Sequence, residues 1–196
     1  MQIHFATTNE SKVKSLQRDL SHHGIEIVHN RIELIEPRSS NLKDIAESKI
    51  NQAYMQIQKP CVVIDSGFYV NSLNGFPKTY VNFALETIGL EGILLLVTGK
   101  NRECEFRDCL AYLDIKLYEP EYFLSRVKGK LCVEKRGEMQ PHLWSELSQI
   151  FIPEGSYKTL AEMSLDDYEQ WRKISRDKSS PGNLLYNWLK ESGRVI

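Results

Sequence analysis

Apolar residues recur along the chain at two spacings, and the changes between them mark out its elements. Gln2–Ala6 alternates as a strand. The polar Thr7-Thr8-Asn9 that follows is turn-like, with Asn9 placed to cap a helix. That helix runs to about Ser21, with Val13, Leu16 and Leu20 on one face. Ile25–Val28 reads as a second short strand and Arg31–Asn41 as irregular. Leu42–Gln58 reads as a helix whose face includes Leu42, Ile45, Lys49, Ala53 and Ile57. A third strand, Cys61–Ile64, stops at Asp65. After a Ser66-Gly67 break, Phe68–Val70 starts a further one. Two helices, Thr79–Ile88 and Glu91–Thr98, flank Gly89. Glu103–Leu117 and Tyr122–Cys132 are rich in β-branched and aromatic residues, and Glu119-Pro120 separates them as a hairpin would. Gly137–Ser145 is loop-like, and Gln149–Ile152 is a short strand closed by Pro153-Glu154-Gly155. Ser164 caps a helix to Ser175, and Pro181 opens the last one. Helices and strands alternate early and two long strands follow, which predicts an α/β protein with a mixed sheet.

Composition narrows the function classes. The chain has 196 residues, 41% hydrophobic and 26% charged, as an ordinary globular protein does. A net charge of −1 argues against non-specific nucleic-acid binding. No apolar run is long enough to span a membrane, and the first residues do not read as a secretory leader. Cys61, Cys104, Cys109 and Cys132 lack metal-ligand spacing and sit among apolar residues. They predict buried thiols in a reducing compartment, hence the cytoplasm.

Four polar clusters carry candidate chemistry. A strand that ends in a carboxylate places Asp65 at the carboxyl end of a sheet, where ligands bind in open α/β folds. Asp65 is thus a metal ligand or general base, or else a cap for the turn at Gly67. Thr7, Thr8, Asn9 and Lys12 gather hydroxyls, backbone N–H groups and a cation at a helix start; they suit phosphate or simply cap the helix. Glu36 can share a hard cation with Asp65, in competition with Glu33, Asp44 and Glu47. Lys49 either snorkels or reaches an anion. Lys158, with the Arg172–Lys178 stretch that includes Ser175 and Arg176, either reads a nucleotide or forms a solvated face.

In order and spacing these clusters resemble the inosine triphosphate pyrophosphatase family. Thr7-Thr8-Asn9-Glu10-Ser11-Lys12 matches its T-x-N-x-x-K loop. Ile64-Asp65-Ser66-Gly67-Phe68 matches E-D-S-G-L, and Leu73–Lys78 matches L-G-G-x-P-G. Phe151–Met163 matches F-x-P-x-G-x-x-K-T-x-A-E-(L/M). The resemblance covers nearly the whole chain and makes residues 1–196 a single domain of that type. It implies an elongated mixed sheet flanked by helices, in two lobes with a central nucleotide cleft, and a homodimer. It implies a Mg²⁺-dependent enzyme, with Mn²⁺ as the alternative ion, that cleaves a nucleoside triphosphate to monophosphate and pyrophosphate. Lys12 and Lys49 would hold triphosphate oxygens, and Glu36 and Asp65 would organise the metal. Asp65 would also help activate the attacking water. Thr7, Thr8, Asn9, Ser66, Gly67, Lys158, Ser175 and Arg176 would contact substrate.

The departures concern specificity. Ile64 stands where the family has glutamate, and Lys78 where it has glycine. His142–Gln149 lacks the family's base-binding loop, and the S-H-R signature is reduced to Ser175-Arg176-Asp177-Lys178. Trp144 is a candidate base-stacking residue and Glu146 a candidate acceptor, each with a plainer reading as core and surface. These departures imply an altered base preference, or a nucleotide-binding regulatory protein that kept the fold and lost turnover.

Overall fold

In the computed structural model, which describes residues 1–176 and 179–195 without the side chain of Arg176, thirteen strands and helices follow one another. They are β1 (Gln2–Ala6), α1 (Glu10–Ser21), β2 (Glu26–Asn30), α2 (Leu42–Ile57), β3 (Cys61–Val70) and β4 (Pro77–Lys78). Then come α3 (Val81–Thr87), α4 (Gly89–Leu96), β5 (Glu103–Leu113), β6 (Glu121–Leu131), β7 (Phe151–Pro153), α5 (Leu165–Arg176) and α6 (Pro181–Glu191). The described strands form one mixed sheet in the order β2-β1-β3-β5-β6-β7, with β4 added to β3. β1 runs parallel to β2 and β3, whereas the β3–β4 and β6–β7 pairs are antiparallel. The mixed α/β architecture predicted from the sequence is therefore observed.

Two compact units divide the chain. The first comprises Met1–Ser66, Asp108–Ser125 and Asp177–Ile196, and the second Gly67–Arg107 and Arg126–Arg176. In the first, Ile3 and Phe5 of β1, Val62 of β3, and Leu110 and Tyr112 of β5 bury against Leu16 and Leu20 of α1 and Leu185 and Leu189 of α6. The two helices approach closely because position 182 is glycine: a Cβ there would lie 2.5 Å from the Asp19 Cβ. Beyond this core, Asp114 accepts hydrogen bonds from the Tyr112 hydroxyl at 2.9 Å and Arg194 Nε at 2.8 Å. It also accepts from Lys116 N–H, an Asx-type turn that ends β5 four residues before the predicted Leu117. In the second unit, Phe68, Phe106 and Phe151 stack edge-on and tilted within a core that also holds Ile93, Val97, Leu147 and Leu160.

A second predicted boundary is corrected. β3 does not break at Ser66-Gly67 but runs through it for 10 residues. Gly67 is there for close approach: a Cβ would lie 2.7 Å from the Lys78 carbonyl oxygen on β4, whose backbone pairs Lys78 with Phe68. The four cysteines are buried and free, as their apolar surroundings predict, and burial pushes the Cys61 thiol up to about 12. No helix of the described residues is long and apolar enough to cross a membrane.

Candidate active site

Because β3 continues to Val70, Asp65 lies in mid-strand and not at a strand's carboxyl end as the sequence predicts, and strand alternation sorts the side chains around it. Val62 and Ile64 turn toward the α1 side, where Ile64 packs on the core. Asp65 points the other way, toward α2, and is 7% exposed. Facing it is Lys49, on the α2 face that also buries Ile45, Ala46, Ile50 and Ala53. The Lys49 ammonium donates to Glu36 Oε1 at 2.7 Å and to Asp65 Oδ1 at 3.3 Å. Glu36 comes from the irregular segment before α2 and remains 57% exposed. Lys49 therefore reaches anions rather than snorkelling to solvent.

The other approach to this part of β3 is α1. Asn9 caps it, its side chain accepting from Lys12 N–H at 3.1 Å, while Asn9 N–H donates to Thr7 Oγ1 at 3.1 Å. Thr7 is half-buried, and Thr8 and Asn9 are exposed beside the free amides of the first turn. The Lys12 ammonium reaches over to the Ile64 carbonyl at 3.1 Å. Two lysines from two helices thus converge on residues 64 and 65. Of the predicted residues, Lys12, Glu36, Lys49 and Asp65 come together, with Ser66 next in the strand.

Burial decides the electrostatics. It pushes the Asp65 carboxyl above the usual carboxylate range; Lys12 and Lys49 counter that rise, and Glu36 adds to it. Burial pushes the Lys12 ammonium below its ordinary value against the pull of Asp65, with Lys49 adding to the fall and Asp108 and Glu36 opposing it. A raised carboxyl is the more basic one, which suits proton acceptance near neutral pH.

Two hard carboxylates that already share one cation fit a magnesium ion, which takes one or two protein carboxylates and fills its remaining positions with water and phosphate. Among the described residues no three His, Cys, Asp or Glu converge.

The remaining predicted residues lie in the second unit. Gly67 is buried and serves the backbone contact with β4. Lys158 Nζ pairs with Asp167 Oδ2 at 3.0 Å, and the Ser175 hydroxyl donates to the Trp171 carbonyl. The Arg176 side chain, Asp177 and Lys178 lie outside the described residues. Trp144 packs edge-on against Phe106, ring centroids 5.1 Å apart, and Glu146 is exposed, in line with the plainer reading of each. The stretch in place of a base-binding loop is a short 3-10 helix, Glu146–Gln149, with Leu147, Ser148 and Gln149 buried. Lys78 adopts φ +57°, a left-handed conformation in which glycine is at ease.

Comparison with known proteins fits this geometry. A family model described as the Ham1 family matches residues 3–176. The dITP/XTP pyrophosphatase of Saccharolobus solfataricus is 38% identical over 97% of this chain and 97% of its own length. That of Pyrococcus horikoshii is 34% identical over the same shares. Among solved structures, the Staphylococcus aureus Ham1 protein aligns with a TM-score of 0.77 at 20% identity, over 98% of this chain and 100% of that one. A HAM1 protein from Coxiella burnetii aligns with 0.78, at 20% identity over 97% and 99%. These two likenesses speak for the fold.

Proposed function

The chain belongs to the Ham1 family, and from that premise we propose that it is a nucleoside triphosphate pyrophosphohydrolase acting on non-standard purine nucleotides of the dITP and XTP kind. It releases nucleoside monophosphate and pyrophosphate, with the whole chain as one functional domain. The observation that carries this reading is the Lys49 ammonium held between Glu36 and Asp65, with Lys12 at the neighbouring Ile64 carbonyl. Four groups of that kind suit α–β phosphoanhydride cleavage, which needs charge neutralisation and an oriented water.

Glu36 and Asp65 would hold Mg²⁺, or Mn²⁺ in its place. The bound ion would supply charge neutralisation across the phosphates and a polarised water. Lys12 and Lys49 grip the triphosphate oxygens, helped by the Thr8 hydroxyl and the first-turn amides behind Asn9. Asp65 accepts the proton of the attacking water, a role its burial favours. Ser66 follows as a phosphate contact. Lys158, Ser175 and Arg176 as substrate contacts rest on the resemblance alone. An altered base preference is supported by the buried 3-10 helix at Glu146–Gln149. A homodimer is supported by Phe83 and Leu95, 65% and 74% exposed on α3 and α4, which offer a second copy an apolar face. Light scattering on the purified protein tests that point.

A regulatory, non-hydrolysing role is favoured by one observation: Ile64 is core packing, so the charge that the resemblance calls for is absent at that position. A panel of standard, deaminated and modified NTPs and dNTPs with Mg²⁺ separates the two. Monophosphate plus pyrophosphate supports the enzyme. Diphosphate plus orthophosphate sinks α–β cleavage, and saturable binding without turnover favours regulation.

A further inference from the structure

The first unit contains a carboxylate that the assignment above leaves unused. Asp108 lies on β5, adjacent to β3 in the sheet. Its neighbours in the strand alternation, Leu110 and Tyr112, share the α1-side core with Val62 and Ile64. Asp108 is therefore on the face toward which the side chain at 64 points. It is half-buried and polar where this face of the strand is otherwise apolar, and its Oδ2 accepts from Ser125 Oγ at 3.2 Å, Ser125 itself being 3% exposed. The helix over this face is α1, whose Lys12 ammonium stops at the Ile64 carbonyl.

We propose that Asp108 is a positioning residue for Lys12, holding its ammonium between β3 and β5 and away from the Asp65 carboxylate. Charges then alternate across the unit from Glu36 through Lys49, Asp65 and Lys12 to Asp108. Lys49 faces two carboxylates directly, and Lys12, at the Ile64 carbonyl, lies in the field of Asp65 on one side and Asp108 on the other. Electrostatic attraction toward Asp108 acts on Lys12 in addition to that toward Asp65. With Asp108 removed, Lys12 has one strong partner left and collapses onto Asp65, which blocks the group that takes the proton from water. A carboxylate at 64 would point to the same face; Asp108 supplies that charge from the next strand while Ile64 serves the core. The inference rests on the proposed function for the meaning of Lys12.

A double-mutant cycle on Lys12→Gln and Asp108→Asn tests it. It is measured on kcat and KM with dITP or XTP and Mg²⁺, and in parallel on calorimetric affinity for a triphosphate with a non-hydrolysable α–β bridge. Melting curves confirm that each variant folds. The expected result is that Asp108→Asn lowers kcat/KM by about 10- to 100-fold, mostly in kcat, as a misplaced group does. In the Lys12→Gln background the same change has less than about a twofold effect, since the group it positions is gone. Asp108→Glu, which keeps the charge, loses less than Asp108→Asn. Equal losses in both backgrounds, or a wild-type Asp108→Asn, overturn the inference. If the wild type binds the analogue but turns over no triphosphate, the hydrolytic reading fails. The affinity cycle still decides Asp108: coupling of Lys12 and Asp108 supports it, and additivity overturns it.

Discussion

The first unit's charged cluster around Asp65 and the second unit's His142–Gln149 stretch differ in how they use their polar positions. Around Asp65, polar residues from α1, α2 and β3 stay polar and face one another. Between His142 and Gln149, apolar side chains join the core: Leu143 and Leu147 are buried, and Trp144 leans on Phe106, while Glu146 stays exposed. Phosphate chemistry is the same for every nucleotide, so its charges have few substitutes. Base recognition rests on shape and on a few hydrogen bonds, and a core can absorb those positions without touching the reaction.

Substitutions can sharpen or break this contrast. The largest effect is expected at Asp65. Asp65→Asn lowers kcat by roughly 10²–10⁴-fold with the melting temperature nearly unchanged, because it removes a proton acceptor and keeps the shape. An active, metal-dependent Asp65→Asn protein breaks the first half of the comparison. Next is Asp114→Asn, which breaks a buried pair with Arg194 far from any assigned chemistry and costs about 3 kcal/mol of stability, read by urea unfolding. The effect depends on pH. Burial raises the Asp114 carboxyl, but hydrogen bonds from Arg194, Tyr112 and Lys116 outweigh it and hold the group below its ordinary value. A carboxyl lowered in the fold stabilises above its unfolded pKa, near about 4, and that contribution is lost as pH falls through the folded value. Asp114→Asn should therefore flatten the acid limb of stability and leave turnover intact.

Trp144→Ala should cost about 2 kcal/mol of stability, since a half-buried ring leaves Phe106 and the cavity relaxes in part. Its kcat should move less than tenfold; a larger loss would return Trp144 to the base-reading residues and erase the contrast. The smallest effect is Lys78→Gly. Relief of a left-handed lysine is worth about 1–2 kcal/mol. About half of this is offset by glycine's extra chain entropy, about 0.5–1 kcal/mol, so the urea midpoint should rise slightly. A fall would mean that the Lys78 side chain contributes packing of its own.

Much of the first unit was legible. The alternation of Gln2–Ala6, the cap at Asn9 and the inward Lys49 each follow from local rules, because a side chain's face is set by its own strand or helix. The continuity of β3 through Gly67 was not legible: what fixes it is the Lys78 carbonyl, brought up by a strand about ten residues on. The pairing of Lys49 with both Glu36 and Asp65 needs three segments folded at once. Asp108 left a readable trace, a lone carboxylate on the Phe106–Leu110–Tyr112 side of β5, but its meaning depends on which strand lies alongside. In the second unit the departure of His142–Gln149 from the family pattern was visible in the sequence. That Leu147, Ser148 and Gln149 are buried in a 3-10 helix required the structure.

The central claim is that the charges gathered around Asp65 of β3 hydrolyse the α–β bond. Phosphorus-31 NMR of wild type and Asp65→Asn, side by side with dITP or XTP and Mg²⁺, tests it directly. The account predicts monophosphate and pyrophosphate from the wild type and an unchanged triphosphate from the variant. Diphosphate and orthophosphate from the wild type, or equal turnover by both proteins, would contradict it.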